Sequence, residues 1–230
     1  MFKITILTIF ENSINWIKEY SIVKNAIEKK ELEIEIINFR KYSNDKHQKV
    51  DHPPYGGGGG MVISIQPIYD CLKKIKTNDS LVYLLSPIGE IYNQDYSRKI
   101  IKNTNHLILI CGHYEGIDYR ILEYVDGIIS IGDYILSGGE IAANVVIDSI
   151  ARQLDNVINK DSLINESFNN NLLDYPTYTR PEIFDNKIVP SVLLSGNHKL
   201  INEWRVEQRK IFTKKYRPDL YKKYLKKRGK

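Results

Sequence analysis

Cysteine is scarce in this sequence. Only two of its 230 residues are cysteines, Cys71 and Cys111, too few for a disulfide framework and without the spacing of a metal site. Both read as small buried core residues, as expected in a reducing cytoplasm. Long hydrophobic runs are missing too. The longest apolar stretches, such as Ile4 to Phe10 and Leu107 to Cys111, are strand-length and far below the ~20 residues of a membrane helix. The first segment already alternates like a strand, so no signal peptide is expected. Internal repeats are also lacking. What remains is 42% hydrophobic and 27% charged, which fits one large globular domain or one domain with a small appendage.

Charge is unevenly spread. From Arg205 to Lys230, twelve Lys or Arg stand against two Asp or Glu, a formal +10; the other twenty-one cations and twenty-six anions leave residues 1–204 at −5. A basic segment on a mildly acidic body points to a polyanion partner such as nucleic acid. It reads equally as a solvated face of a lysine-rich chain.

KITILTI at residues 3–9 alternates and is β-branched, which predicts a strand. Residues 14–30 place Trp16, Ile17, Tyr20, Val23 and Ile27 at helical spacing, predicting one helix. Residues 32–39 alternate again, and residues 40–60, polar and then glycine-rich, predict a loop. Further strands are expected at 80–85 (ending at Ser86-Pro87), 106–111 and 127–131, and further helices at 67–76, 95–102, 117–124 and 140–152. Such alternation argues for an α/β fold, a parallel sheet covered by helices on both faces. Six asparagines then fall between 156 and 171. They predict a flexible linker over 155–172, between an α/β domain (1–154) and a small basic helical domain (173–230) with helices near 200–215 and 220–228.

Four segments could carry chemistry. YGGGGGM at 55–61 holds five consecutive glycines, each costly to order. It is no phosphate-binding P-loop, because Met61-Val62 follows the last glycine instead of Lys-Ser/Thr. Nor is it a dinucleotide fingerprint, because Asp51-His52-Pro53-Pro54 before it does not read as a strand. CGHYEGID (111–118), SIGDYILSGGE (130–140) and Ser86-Pro87-Ile88-Gly89 form three glycine-bearing loops, each at the C-terminal end of a predicted strand. Open parallel sheets bind ligands there, and glycine lets the backbone approach a flat ring closely. LLDYPTYTRP (172–181) sets Asp174 among aromatics. That carboxylate reads as a general base on a closing loop or as a turn or cap residue. Tyr114 and Tyr134 either stack on a ligand or sit in the core. His47 and His52, with Lys46 and Lys49, either meet RNA phosphate or belong to a solvated charge run.

These segments, with DKHQKVD at 45–51, the QP at 66–67 and VPSVLLSGNH at 189–198, together resemble the tRNA (guanine-N1)-methyltransferase family, TrmD, of the knotted SPOUT class. The likeness runs from Met1 to about Leu220. It implies a C-terminal deep trefoil knot and an obligate homodimer whose active sites are shared between chains. It implies S-adenosyl-L-methionine as methyl donor, and tRNA as substrate gripped by the C-terminal helices, with methylation at guanine N1 of position 37, 3′ to the anticodon. The matching positions imply cofactor contacts at Leu85, Pro87, Gly112, Tyr114, Glu115, Ile131, Gly132, Asp133, Tyr134, Ile135, Leu136, Gly138 and Gly139. They imply Asp174 as general base and Arg152 as its assisting arginine. The resemblance also favours a Mg²⁺ dependence, although no carboxylate cluster in the sequence demands a metal. Three positions depart from the family pattern: Gly59 where Pro or Ala is frequent, His113 where the family has Arg, and Asn197 in SGNH where it has His.

Guanine N1 carries a proton at neutral pH and is a poor nucleophile until that proton leaves. The implied task is therefore positioning, proton removal by Asp174 and stabilisation of charge at O6 by the permanently protonated Arg152. A knotted methyltransferase acting on a ribose hydroxyl would have no use for LLDYPTYTRP. A catalytically dead RNA-binding relative would not need Asp174, Arg152 and all three loops.

Overall fold

The computed structural model describes residues 1–159, 166–227 and 229, in two compact units, Met1–Ile158 and Asn159–Lys230. The first unit is built on strands β1 (Phe2–Thr8) and β2 (Leu32–Asn38), the short pair β3 (Asp51–His52) and β4 (Val62–Ile63), then β5 (Ser80–Ile91), β6 (His106–Cys111) and β7 (Gly127–Ser130). Five of these form one sheet in the order β2-β1-β6-β5-β7, with every neighbouring pair parallel. The helices are α1 (Asn12–Asn15), α2 (Ser21–Glu28), α3 (Ile65–Ile75), α4 (Gln94–Asn103) and α5 (Glu140–Ala151).

Alternate side chains of each strand enter two separate cores. On β6, Leu107, Leu109 and Cys111 join the core packed by α2, α4 and α5, through Val23, Ile100 and Val146 among others. Ile108 and Ile110 join the opposite core with Phe39 and with Ile68 and Leu72 of α3. Burial on both faces is why β6 reads as an apolar run, in contrast to β1 and β2, whose sequences alternate. Each such side chain contributes about 1.5–3 kcal/mol by leaving water.

Four local expectations are corrected. The helix expected over 14–30 is broken: α1 passes into a 3₁₀ turn at Trp16–Glu19, Tyr20 is extended, and α2 starts afresh at Ser21. Ile14, Ile17, Val23 and Ala26 are buried, while Trp16 and Tyr20 are exposed. In one straight helix Ile17 and Ala26 would lie about 180° apart, so only a break lets both reach the core. The helix expected at 117–124 is a 3₁₀ helix over Tyr119–Tyr124. The strand expected to end at Ser86-Pro87 continues to Ile91: pairing with β7 shifts register between Leu85 and Glu90, and Ile129 is opposite both. The 40–60 loop also contains β3, which pairs with β4 and makes the glycine run the tip of a hairpin. Gly56, Gly57, Gly58 and Gly60 there take φ of +85°, +80°, +123° and +80°, a region L side chains rarely enter.

The second unit contains a hairpin, β8 (Ile183–Phe184) with β9 (Lys187–Ile188), and helices α6 (Ser191–Leu194), α7 (His198–Tyr216) and α8 (Pro218–Lys227). Asp185 and Asn186 turn the hairpin at φ +48° and +57°, the left-handed pair of a type I′ turn. Asn197 caps α7, its side chain accepting from the Lys199 and Leu200 N–H groups, which gives this departure from the family pattern a structural role. Residues 160–165 of the expected linker lie outside the described residues. No helix among the described residues is long and apolar enough to cross a membrane.

Both thiols are fully buried. Burial pushes Cys71 up to about 11 and raises Cys111 well above its ordinary value. Only the thiolate is nucleophilic. At pH 8 a thiol-specific reagent should therefore label neither cysteine in the native protein and both after denaturation; rapid native labelling would contradict this packing.

Candidate active site

Where β5 slips its register against β7, and at the C-terminal ends of β6 and β7, three segments surround a cavity of about 390 Å³, within the ~300–1,000 Å³ of small-molecule sites. The segments are 84–88, 112–119 and 129–139. Every position matched to cofactor contact lines this cavity except Asp133. Tyr114 and Tyr134 are on its wall and half exposed, so neither is a core residue. Ile117, Tyr119, Leu122 and Ala142 also line it and were not foreseen, since nothing in their local sequence sets them apart from core positions.

Backbone contacts lock the loops together. The Gly139 N–H donates to the Gly112 carbonyl at 3.0 Å, and a Cβ at Gly139 would lie 2.8 Å from the Cys111 Cα. Only glycine permits that approach. The glycine hairpin adjoins the same region: Glu115 N–H donates to Met61 O at 3.0 Å, Ile63 N–H to Gly116 O at 2.9 Å, and Asp118 N–H to Ile63 O at 2.9 Å. The Glu115 carboxylate lies against Gly60, where a Cβ would meet Oε1 at 2.5 Å.

Beneath the cavity sits a buried carboxylate that sequence reasoning missed. Glu140, the first residue of α5, is 4% exposed. Its Oε1 accepts from Thr8 Oγ1 at 2.5 Å, and Oε2 lies 2.6 Å from His113 Nε2. One side chain thus ties the end of β1, the loop after β6 and the start of α5. The available signal was an acid directly after a glycine pair at a helix start, where the helix dipole favours negative charge. The His113 ring packs on Phe10, with centroids 4.5 Å apart.

Arg152 stands at the opposite end of α5, as its C-cap. The twelve-residue helix spans about 18 Å, and Arg152 does not line its own unit's cavity. Asp174 belongs to the second unit. It is partly buried; its N–H donates to Ser167 Oγ at 3.0 Å, and its Oδ1 accepts the Tyr175 N–H at 2.7 Å. Oδ2 has no hydrogen-bond partner among the described residues. Beside it, the Arg205 guanidinium lies 4.9 Å over the Tyr175 ring. His47, His52, Lys46 and Lys49 are exposed. Among the described residues no three His, Cys, Asp or Glu side chains gather as a metal site.

A sequence profile described as tRNA (guanine-1)-methyltransferase TrmD matches residues 2–223. The chain belongs to the TrmD family. Among its relatives, the tRNA (guanine-N(1)-)-methyltransferase of Malacoplasma penetrans is 56% identical over 97% of this chain and 99% of its own length. Those of Mycoplasma pneumoniae and Ureaplasma urealyticum are 53% and 52% identical, covering 98% and 97% of this chain and 97% and 98% of their own lengths. In this TrmD chain, the histidine that replaces the family's arginine at 113 is not a loose surface variant; it is the partner of a buried acid.

Proposed function

We infer that this chain methylates N1 of guanine 37 in tRNA, 3′ to the anticodon, with S-adenosyl-L-methionine as donor. The observation that carries the reading is the TrmD match over residues 2–223, in a chain whose three glycine-bearing loops enclose one cavity. The cavity suits that donor. Gly112, Gly138 and Gly139 carry no side chain, which lets a flat ring come close to the loop backbone, while Tyr114, Tyr134 and Ile135 offer apolar surface. When bound, S-adenosyl-L-methionine supplies an electrophilic methyl group. Leu85, Pro87 and the other matched lining positions would hold it in place, with Asp133 standing between the lining residues Gly132 and Tyr134.

The chain's own residues then handle the proton. Asp174 takes hydrogen from guanine N1: Tyr175 N–H fixes Oδ1, and Oδ2 is left to accept. Arg152 steadies the charge that develops on O6. Ile141, Val145 and Arg152 recur at intervals of four and seven residues and so share one face of α5. Ile141 and Val145 are exposed, as are Trp16 and Ile135. An apolar face ending in Arg152, a helix length from its own cavity, supports a homodimer in which Arg152 serves the partner's site. The family match carries with it the deep trefoil knot of the SPOUT class. The basic helices of 173–230 bind tRNA, with 155–172 as linker to the cofactor domain. The setting is the cytoplasm. Mg²⁺, where the reaction uses it, is not held by any cluster of side chains among the described residues.

The test is direct. The protein is incubated with labelled S-adenosyl-L-methionine and unmodified tRNA transcripts carrying G37 or A37, and the product is digested to nucleosides. Label in 1-methylguanosine from the G37 transcript alone is expected. Label on a ribose, or transfer to A37 transcripts, would overturn the reading.

A further inference from the structure

The segment that ends in Asp174 is held in an unfavourable backbone conformation. Phe168 has φ of +74°, a left-handed value that a bulky side chain keeps only where the surroundings over-determine it, and Asn170 and Asn171 follow at +56° and +58°, a region asparagine tolerates. The surroundings are two side chains of α7. Arg209, 8% exposed, donates from Nε to Leu173 O at 3.1 Å and from Nη2 to Asn169 O at 3.3 Å and Glu166 O at 3.4 Å. Thr213, fully buried, accepts the Leu173 N–H on Oγ1 at 2.8 Å and donates the same hydroxyl to Arg209 O at 2.6 Å. Both polar groups of the Leu173 backbone are therefore gripped by α7, one residue before the carboxylate.

We propose that Arg209 and Thr213 are positioning residues for Asp174: they act on the reaction only by fixing the backbone that aims its carboxylate. The inference rests on the reading of Asp174 as general base. A planar guanidinium with several fixed N–H donors can reach carbonyls at three points of one loop, which a single ammonium cannot. The clamp also explains why an arginine on a strongly basic helix is turned inward. Misplacing a reacting group by about 1 Å can cost 10²-fold in rate, so the clamp needs to shift only slightly to matter.

The experiment compares Thr213→Val, which keeps shape and removes the hydroxyl, with Thr213→Ser, Arg209→Lys, Asp174→Asn and the Asp174→Asn/Thr213→Val double variant. Single-turnover methylation, tRNA KM, cofactor affinity and Tm are measured for each. Thr213→Val should slow methyl transfer by roughly 10–10²-fold with KM and cofactor affinity nearly unchanged. Thr213→Ser should restore most of the rate, Arg209→Lys should be slow, and the double variant should be no slower than Asp174→Asn alone. Wild-type turnover in Thr213→Val, or losses that multiply with Asp174→Asn, would overturn the positioning role while leaving the general base intact. An active Asp174→Asn enzyme would instead remove the general base, and the proposal with it. If Arg209→Lys fails to fold, Thr213→Val and its serine rescue still decide the matter.

Discussion

Asp174→Ala is expected to lower methyl-transfer turnover by roughly 10²–10⁴-fold, the range for loss of a general base, with S-adenosyl-L-methionine affinity nearly intact. The asymmetry follows from placement. The cavity proposed for the cofactor is lined by residues of the first unit, whereas Asp174 is carried by the second. Its Oδ1 is engaged by the next residue's N–H, so truncation also leaves that backbone donor without its acceptor, at about 1–3 kcal/mol of stability. The larger loss should appear in chemistry. Single-turnover kinetics with saturating tRNA, beside calorimetric titration of the cofactor, separate the two. Near-normal turnover would eliminate the proposed base; lost cofactor binding would place the residue in a different role.

Gly89→Ala is expected to damage fold and cofactor binding together. A Cβ at residue 89 would lie 2.6 Å from the carbonyl carbons of both Ile128 and Ile129. Those atoms are β7 backbone and cannot rotate aside as a side chain would. Overpacking of this kind costs about 1–3 kcal/mol and occasionally more, equivalent to a Tm loss of roughly 2–4 °C per kcal/mol at this chain length. The strand must shift, and Ser130, Ile131 and Gly132 of the cavity wall directly follow the two displaced residues. Affinity for the cofactor should fall in parallel, about tenfold for each 1.4 kcal/mol of binding free energy lost. An alanine variant with unchanged Tm and affinity would refute the close contact between the 86–89 segment and β7.

The five-stranded sheet was legible in the sequence because each central strand is buried on both faces. A run such as Leu107 to Cys111 has to be apolar at every position, and few other structures demand that. The cavity was legible for a related reason: parallel strands β6 and β7 end together, so the glycine loops that follow them converge, although the run of β5 past Ser86-Pro87 to Ile91 was not legible. The break at Tyr20 was not legible, because local spacing suits one helix and only the shared core of Ile17 and Ala26 forbids it. Glu140 was hidden by its type, since an acid at a helix start usually faces water. The glycine run was hidden by distance: its partner Glu115 stands 55 residues beyond Gly60. The inward turn of Arg209 was masked by a helix that is basic nearly all round.

That inward turn changes what the helix offers to a polyanion. Arg209 is spent on carbonyls, Arg217 is bound to Asp219 through two contacts of 2.9 and 2.7 Å, and Lys210 meets Glu207 at 2.8 Å. Counterion release scales with the phosphates actually neutralised. The ionic-strength dependence of tRNA association should thus report a footprint well below the twelve cations counted between Arg205 and Lys230, with a correspondingly gentle loss of affinity as salt rises.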